Sequence, residues 1–308
     1  RHALEHVLRA APQHDKAFTA LEKMHEATQN WAGLLALLDL ALAADDLGKD
    51  RRLSLLHRKR SVSEEGPGNA AALRDACGAL LELVPDDQEA LRTLERLARE
   101  DDDWEALDLV LARRMDIAGD RSAKLSLGIQ RAENALDRLD RPEAALAHAV
   151  AADSLAGPGP GHEGLIDIFE SLLEFEATRQ AAASRLETRY RVRKDWARLF
   201  NVLALMRSAR DSAEQVEAIT VEMVRLARDE LGDPSVALQT LLASFEAYPY
   251  QQGLRGLVME VAGEVSGWTD VFDTTEGVLE REDDAPRIEE LALWLADLYR
   301  QRVGFQRE

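Results

Sequence analysis

Cysteine is all but missing from this chain. Cys77 stands alone among 308 residues, which excludes an intrachain disulfide and any cysteine-built zinc site. Its neighbours Ala72, Leu73, Leu80 and Leu81 suit a small buried thiol, and a lone thiol fits a reducing compartment. Aromatic residues reach only 5%, Val and Ile runs are scarce, and no stretch alternates apolar with polar residues. A sheet is therefore not expected. Long apolar runs are lacking too: the most hydrophobic, from Trp31 to Ala44, is broken by Asp39 and too short to cross a bilayer, so no membrane insertion is expected. Positive charge is in deficit, with 38 Lys and Arg against 57 Asp and Glu, a net charge of −19. A general nucleic-acid binder needs the opposite balance, because phosphate backbones attract basic surfaces. Catalytic signatures are absent as well: there is no His-Glu-x-x-His, no Gly-x-Ser-x-Gly and no phosphate-binding loop with Lys-Ser or Lys-Thr. The reading is of a non-enzyme without cofactors. His2 and His6 have the four-residue spacing of metal ligands, but nearby sequence supplies no third ligand.

What remains is abundant Ala, Leu, Arg and Glu, all strong helix formers. Their apolar members recur at helical spacing, as in Ala90, Leu91, Leu94, Leu97 and Ala98, then Trp104, Leu107, Val110 and Leu111. A longer period overlies this one. Pro12 precedes Trp31, Pro85 precedes Trp104 and Pro249 precedes Trp268, each by 19 residues. A second kind of turn, Asp140-Arg141-Pro142 and Gly232-Asp233-Pro234, places Pro where a new helix can begin without a missing donor. The turn residues Trp31, Pro67, Trp104, Pro142, Trp196, Pro234 and Trp268 are spaced by 36, 37, 38, 54, 38 and 34 residues. Such a period marks tandem helical hairpins. Asp86 and Glu89 have capping-box spacing at the start of one helix. The long step holds Gly157-Pro158-Gly159-Pro160-Gly161, which no helix survives, and room for two helices near 163–174 and 177–192 where one is expected.

Gly232-Asp233-Pro234, Ala237, Leu241, Ser244 and Pro249 resemble the second half of a tetratricopeptide repeat, and the Asp103-Trp104 and Asp195-Trp196 turns resemble that repeat's own turn. The first helices depart from the family at Val221, Arg225 and Arg228. The resemblance spans nearly the whole chain and implies an all-α superhelix, a solenoid of stacked antiparallel hairpins with an irregular extra helix near 160–195. The expected divisions are an N-terminal array (1–156), a Gly/Pro break with irregular helices (157–194) and a C-terminal array (195–308). Both ends read as uncapped: residue 1 falls within a hairpin, and Gly304 matches the turn glycine Gly232, as in a piece of a longer array.

The resemblance also implies a function, an interaction scaffold whose stacked helices present a groove to a protein or peptide. An arm of a larger enzyme or signalling protein and a structural subunit of an assembly are the alternatives. In the family, positions fifteen, twelve, eight and five residues before each turn residue face the groove. Counting back selects Lys16 and Lys23 before Trp31, Arg52 and Lys59 before Pro67, and Arg92, Arg96 and Arg99 before Trp104. Before Pro142 it selects Gln130 and Asn134, amides able to hold a peptide backbone. Before Pro234 and Trp268 it selects Glu222, Asp229 and Glu260, so the groove is expected to be basic in its N-terminal half, suited to an acidic segment, and acidic later. Two further charge features have two readings each. Eleven carboxylates against Arg281 and Arg287 between Glu260 and Glu290 form a solvated face or a contact for a basic partner. Arg185, Arg189 and Arg193 share one helix face and either bridge to neighbouring acidic helices or meet an anion.

Overall fold

The computed structural model describes Leu4, Leu8, residues 14–44, 47–66, 69–157, 159 and 162–305, with side chains to Arg300. It is 83% helical, and no strand occurs among the described residues. His2, His6, Pro12, Pro67, Pro158, Pro160 and Gly161 lie outside them. Two compact units, Arg1–Leu155 and Ala156–Glu308, make up the chain. Residues 157–194 fall inside the second.

The first unit holds α1 (Asp15–Ala27), α2 (Trp31–Leu42), α3 (Lys49–Glu65), α4 (Ala70–Leu83), α5 (Gln88–Glu100), α6 (Trp104–Ile117), α7 (Arg121–Glu133) and α8 (Pro142–Ala156). The second holds α9 (Glu163–Leu172), α10 (Glu176–Arg193), α11 (Trp196–Ser208), α12 (Ala213–Arg225), α13 (Pro234–Ala247), α14 (Gln252–Val265), α15 (Trp268–Leu279) and α16 (Ala285–Phe305). Within each unit a helix packs on its neighbours in chain order. The architecture is the expected all-α array of antiparallel hairpins, and α9 is its extra helix. Gly304 does not turn the chain: α16 runs through it to Phe305.

Local chemistry explains the hairpins. Four second helices begin at tryptophan, and each turn before them is built alike. Gln29, Asp102, Lys194 and Ser266 take left-handed backbone angles (φ 50 to 57°), and the next residue's N–H reaches back five residues to a helix carbonyl. These bonds satisfy carbonyls that a helix end leaves free. Asn30, Asp103 and Asp195 then accept the N–H three residues on, capping the new helix. At α5 the cap is Asp87, one residue later than the expected Asp86, and it accepts from Glu89 and Ala90.

The proline turns are different. Before each, the helix ends in a π-turn, Asn134–Arg138 after α7 and Leu226–Glu230 after α12. Asp140 (φ 51°) or Gly232 (φ 66°) then reverses the chain into Pro142 or Pro234. Nothing in the sequence reading anticipated the π-turns.

Leucines fill the interior. Leu21, Leu34, Leu38, Leu80, Leu91, Leu107 and Leu111 are among the fully buried residues of the first unit, and Phe169, Leu186, Tyr190, Phe245 and Val258 among those of the second. Each such side chain contributes on the order of 1.5–3 kcal/mol by leaving water. Cys77 is completely buried, and burial pushes its thiol up to about 11. The turn tryptophans are half-buried, with Trp31, Trp104 and Trp268 covering the margins of these clusters.

Candidate partner-binding face

In the first unit the first helices of successive hairpins, α1, α3, α5 and α7, lie side by side and are tied laterally. Arg51 pairs with Asp15 (3.0 Å) and Arg58 with Glu22 (2.9 Å) and Glu26, joining α3 to α1. Arg60 pairs with Glu89, and the Thr93 hydroxyl donates to Glu64 (3.4 Å), joining α3 to α5. Arg99 donates to the Gln130 side-chain oxygen (3.0 Å), joining α5 to α7. These ties flank the exposed face of each first helix, which no described helix of the unit covers.

Lys16 and Lys23 are exposed on the open face of α1, and Arg92, Arg96 and Arg99 on that of α5. On α5 the opposite side buries Ala90, Leu91, Leu97 and Ala98, so the three arginines point away from the core. With Glu95 and Glu100 they line a shallow depression of ≈ 430 Å³. Arg96 bonds Glu100 (2.8 Å), and Glu95 is shared between Arg99 and Arg114. Arg114 is held below its usual pKa, by burial first and by the charge of Arg92 second, so these guanidiniums crowd one another. Among the described residues Lys16, Lys23 and Arg92 make no ion pair. Gln130 is half-buried on α7, where its oxygen accepts from Arg99.

Three other selected residues do not reach this face. Lys59 is buried and pairs with Asp39 of α2 (2.7 Å). Arg52 lines a ≈ 300 Å³ cleft with Lys59, Asp39, Asp75 and Glu82, between α2, α3 and α4. Asn134 is buried in the π-turn, where its amide donates to the Trp104 carbonyl (2.9 Å). The open face of α3 carries Ser54, His57 and Ser61 instead, which the sequence reading missed. A local signal could have found them. Lys16, Arg92 and Lys23 stand eleven, eight and four residues before the last residue of their helices, and the same counts back from Glu65 give Ser54, His57 and Ser61.

In the second unit the arginines near the Gly/Pro break are engaged within the chain. Arg189 is only 6% exposed and donates to the carbonyls of Gly157 and Gly159, both at 2.7 Å. Arg193 pairs with Glu163 (2.7 Å), Arg191 with Glu187 (2.8 Å) and Glu222, and Arg185 is half-buried with contacts of its own. Glu222 thus lies under Arg191, Glu260 pairs with Arg228 (2.9 Å), and Asp229 is exposed. Within Glu260–Glu290, Glu282 accepts from the Tyr250 hydroxyl (2.6 Å) and Glu290 from Arg255 (2.8 Å).

No family model matches the chain, and no curated protein matches it. Solved structures similar to it include BtubC (BKLC) from P. vanneervenii, at 14% identity over 73% of this chain and 93% of that one, with a TM-score of 0.30. The TPR domain of P58(IPK) is 13% identical over 97% of this chain and 92% of its own, with a TM-score of 0.23. The APC/C hetero-tetramer Cut9-Hcn1 is 15% identical over 75% and 52%, at 0.24. At these scores the fold rests on the chain's own hairpins, which resemble tetratricopeptide-type helical repeats.

Proposed function

We propose that this chain is a non-catalytic interaction scaffold whose first unit holds an acidic segment of a protein partner across the open faces of α1, α5 and α7. The observation that carries this reading is the set of exposed cations Lys16, Lys23 and Arg92, left without a carboxylate partner among the described residues while most other described arginines of the unit are paired. Side chains held in internal pairs have little left for a ligand; these three keep their charge available. Gln130, whose oxygen accepts from Arg99, keeps a second amide hydrogen on α7 for a peptide carbonyl. The high acidity of the whole chain makes unpaired cations on this face more selective, since an acidic segment is repelled elsewhere.

The direct test reverses Arg92, Arg96 and Arg99 to Glu and measures binding of a fluorescently labelled oligoglutamate peptide by anisotropy. Affinity should fall at low ionic strength, and the difference should shrink as salt rises and screens exposed charges. Equal affinity of parent and variant at low salt would overturn the reading.

A further inference from the structure

The charge of the open face comes in bands. Helix α3 carries Arg51, Arg52, Arg58, Lys59 and Arg60, a dense run of cations, yet none lies on its open face. Arg51 and Arg58 turn sideways to α1, Arg60 to α5, Lys59 inward to α2, and Arg52 into the cleft beside it. What α3 leaves open is Ser54, His57 and Ser61, with the exposed carboxylates Asp50 and Glu64 at the two ends of the same stripe; the Ser54 hydroxyl donates back to the Asp50 carbonyl (3.0 Å) and that of Ser61 to Glu65 (3.2 Å). Across three neighbouring helices the face therefore reads basic on α1, without lysine or arginine on α3, and basic again on α5.

From this banding we infer that the first unit recognises a segment with two acidic clusters, held extended and separated by about six uncharged residues. The inference rests on the acidic-segment reading above and specifies its ligand. Packed helices lie about 8–10 Å apart, so two steps from α1 to α5 span roughly 20 Å. An extended chain rises about 3.3 Å per residue and covers that distance in about six residues. One cluster meets Lys16 and Lys23, the other meets Arg92, and the polar middle crosses Ser54 and His57. A helical segment would need about thirteen residues for the same span. Engaging both bands at once makes the second contact intramolecular, and its gain is greatest when the spacer matches the span.

Three labelled peptides of equal charge test this, each with two Glu-Glu pairs separated by proline spacers of about two, about six or about twelve residues, which stay extended at about 3.1 Å per residue. The intact chain should bind the middle spacer about fivefold or more tighter than the other two at low salt. Lys16→Ala with Lys23→Ala should remove that preference, leaving the three peptides alike. His57→Lys, which adds a fixed cation between the two basic bands, should strengthen the short spacer most. These are surface changes on a helix, and circular dichroism checks that each variant keeps its helicity. Binding of all three peptides with equal affinity would overturn the spacing while leaving the acidic-segment reading intact. Preference for the longest spacer would overturn the spacing, since it would mean the two contacts lie farther apart than two helix steps. No binding of any peptide would remove the underlying reading, and the spacing with it.

Discussion

Two stretches of this chain, α5–α8 in the first unit and α10–α13 in the second, repeat one plan at an offset of 92 residues. Trp104 answers to Trp196, Pro142 to Pro234, and the left-handed Asp102 and Asp140 to Lys194 and Gly232. Both contain a π-turn before the proline. Even a side-chain tie recurs: Arg99 reaches Glu95 and Gln130, and Arg191 reaches Glu187 and Glu222, four and thirty-one residues away in both cases. The open face does not repeat. Arg92 and Arg96 correspond to Ser184 and Thr188, and Gln130 to Glu222. Turn geometry and the lateral tie are thus shared, whereas the charge available to a partner belongs to the first stretch. Hairpin stacking constrains the buried stripe and the turns, and the uncovered face is free to differ.

The comparison is broken most severely through the core. Ala98 and Tyr190 hold corresponding buried positions, at 4% and 1% exposure, so the second stretch fills with a ring what the first fills with a methyl group. Tyr190→Ala should cost on the order of 3–5 kcal/mol, the range for emptying a buried aromatic site. Urea melts would show it, and a loss below about 1 kcal/mol would mean that the hairpin closes over the gap. Tyr190 also donates to Glu170, so Tyr190→Phe separates the hydrogen bond from the packing.

A smaller effect probes the matched proline turns. Gly232 and Asp140 occupy the same left-handed position. Gly232→Ala should destabilise by about 1 kcal/mol, and Asp140→Gly should stabilise by a few tenths to about 1 kcal/mol, because only glycine enters that region without a side-chain penalty. Thermal melts of both variants moving in the same direction would contradict the equivalence of the turns.

The smallest effect sharpens a contrast in titration. Between α6, α7 and α8, Asp108 receives two bonds from Arg131 (2.9 and 3.0 Å) with His148 nearby at 3.9 Å; the second stretch has Phe200, Met223 and Thr240 there. Burial, and then Arg131, hold the His148 pKa below 6.5, against the pull of Asp108. The folded chain therefore binds this proton less readily than the unfolded one, and stability should decline as pH falls through 6.5 toward the lowered value. Burial would raise Asp108, but the Arg131 bond outweighs it and lowers the carboxyl below 3.8, which adds a further loss in stronger acid. His148→Gln should flatten the melting temperature between about pH 7.5 and 5.5 relative to the parent. An unchanged slope would show that the histidine is not its source.

Helices and their turns were legible because their causes are local. Apolar spacing at Ala90, Leu91, Leu94, Leu97 and Ala98, a cap at Asp103 and a proline at 142 or 234 act within a few residues, whatever the rest of the chain does. The outward side of α1 and α5 was legible for the same reason: counting back from Trp31 or Trp104 crosses one kind of turn of fixed length. At Pro67 the count fails, since α3 ends two residues before that proline whereas α5 ends four before Trp104. Two residues rotate a helix by about 200°, enough to carry Arg52 and Lys59 from the open face to the packed one. Asn134 fails through the π-turn, whose extra residue changes the phase of the last helical turn.

By itself, then, the sequence determined an all-helical chain of hairpins, the tryptophan and proline residues at which it turns, and an acidic whole with basic stretches. Tertiary structure alone decided which cations remain available. Arg58, Arg60 and Arg99 each meet side chains some thirty residues away, brought near by stacking one hairpin on the next. Such pairing depends on the rotation of two helices about their axes and on the distance between them. Neither is written in local spacing, so Lys16, Lys23 and Arg92 stand out only once the hairpins are packed.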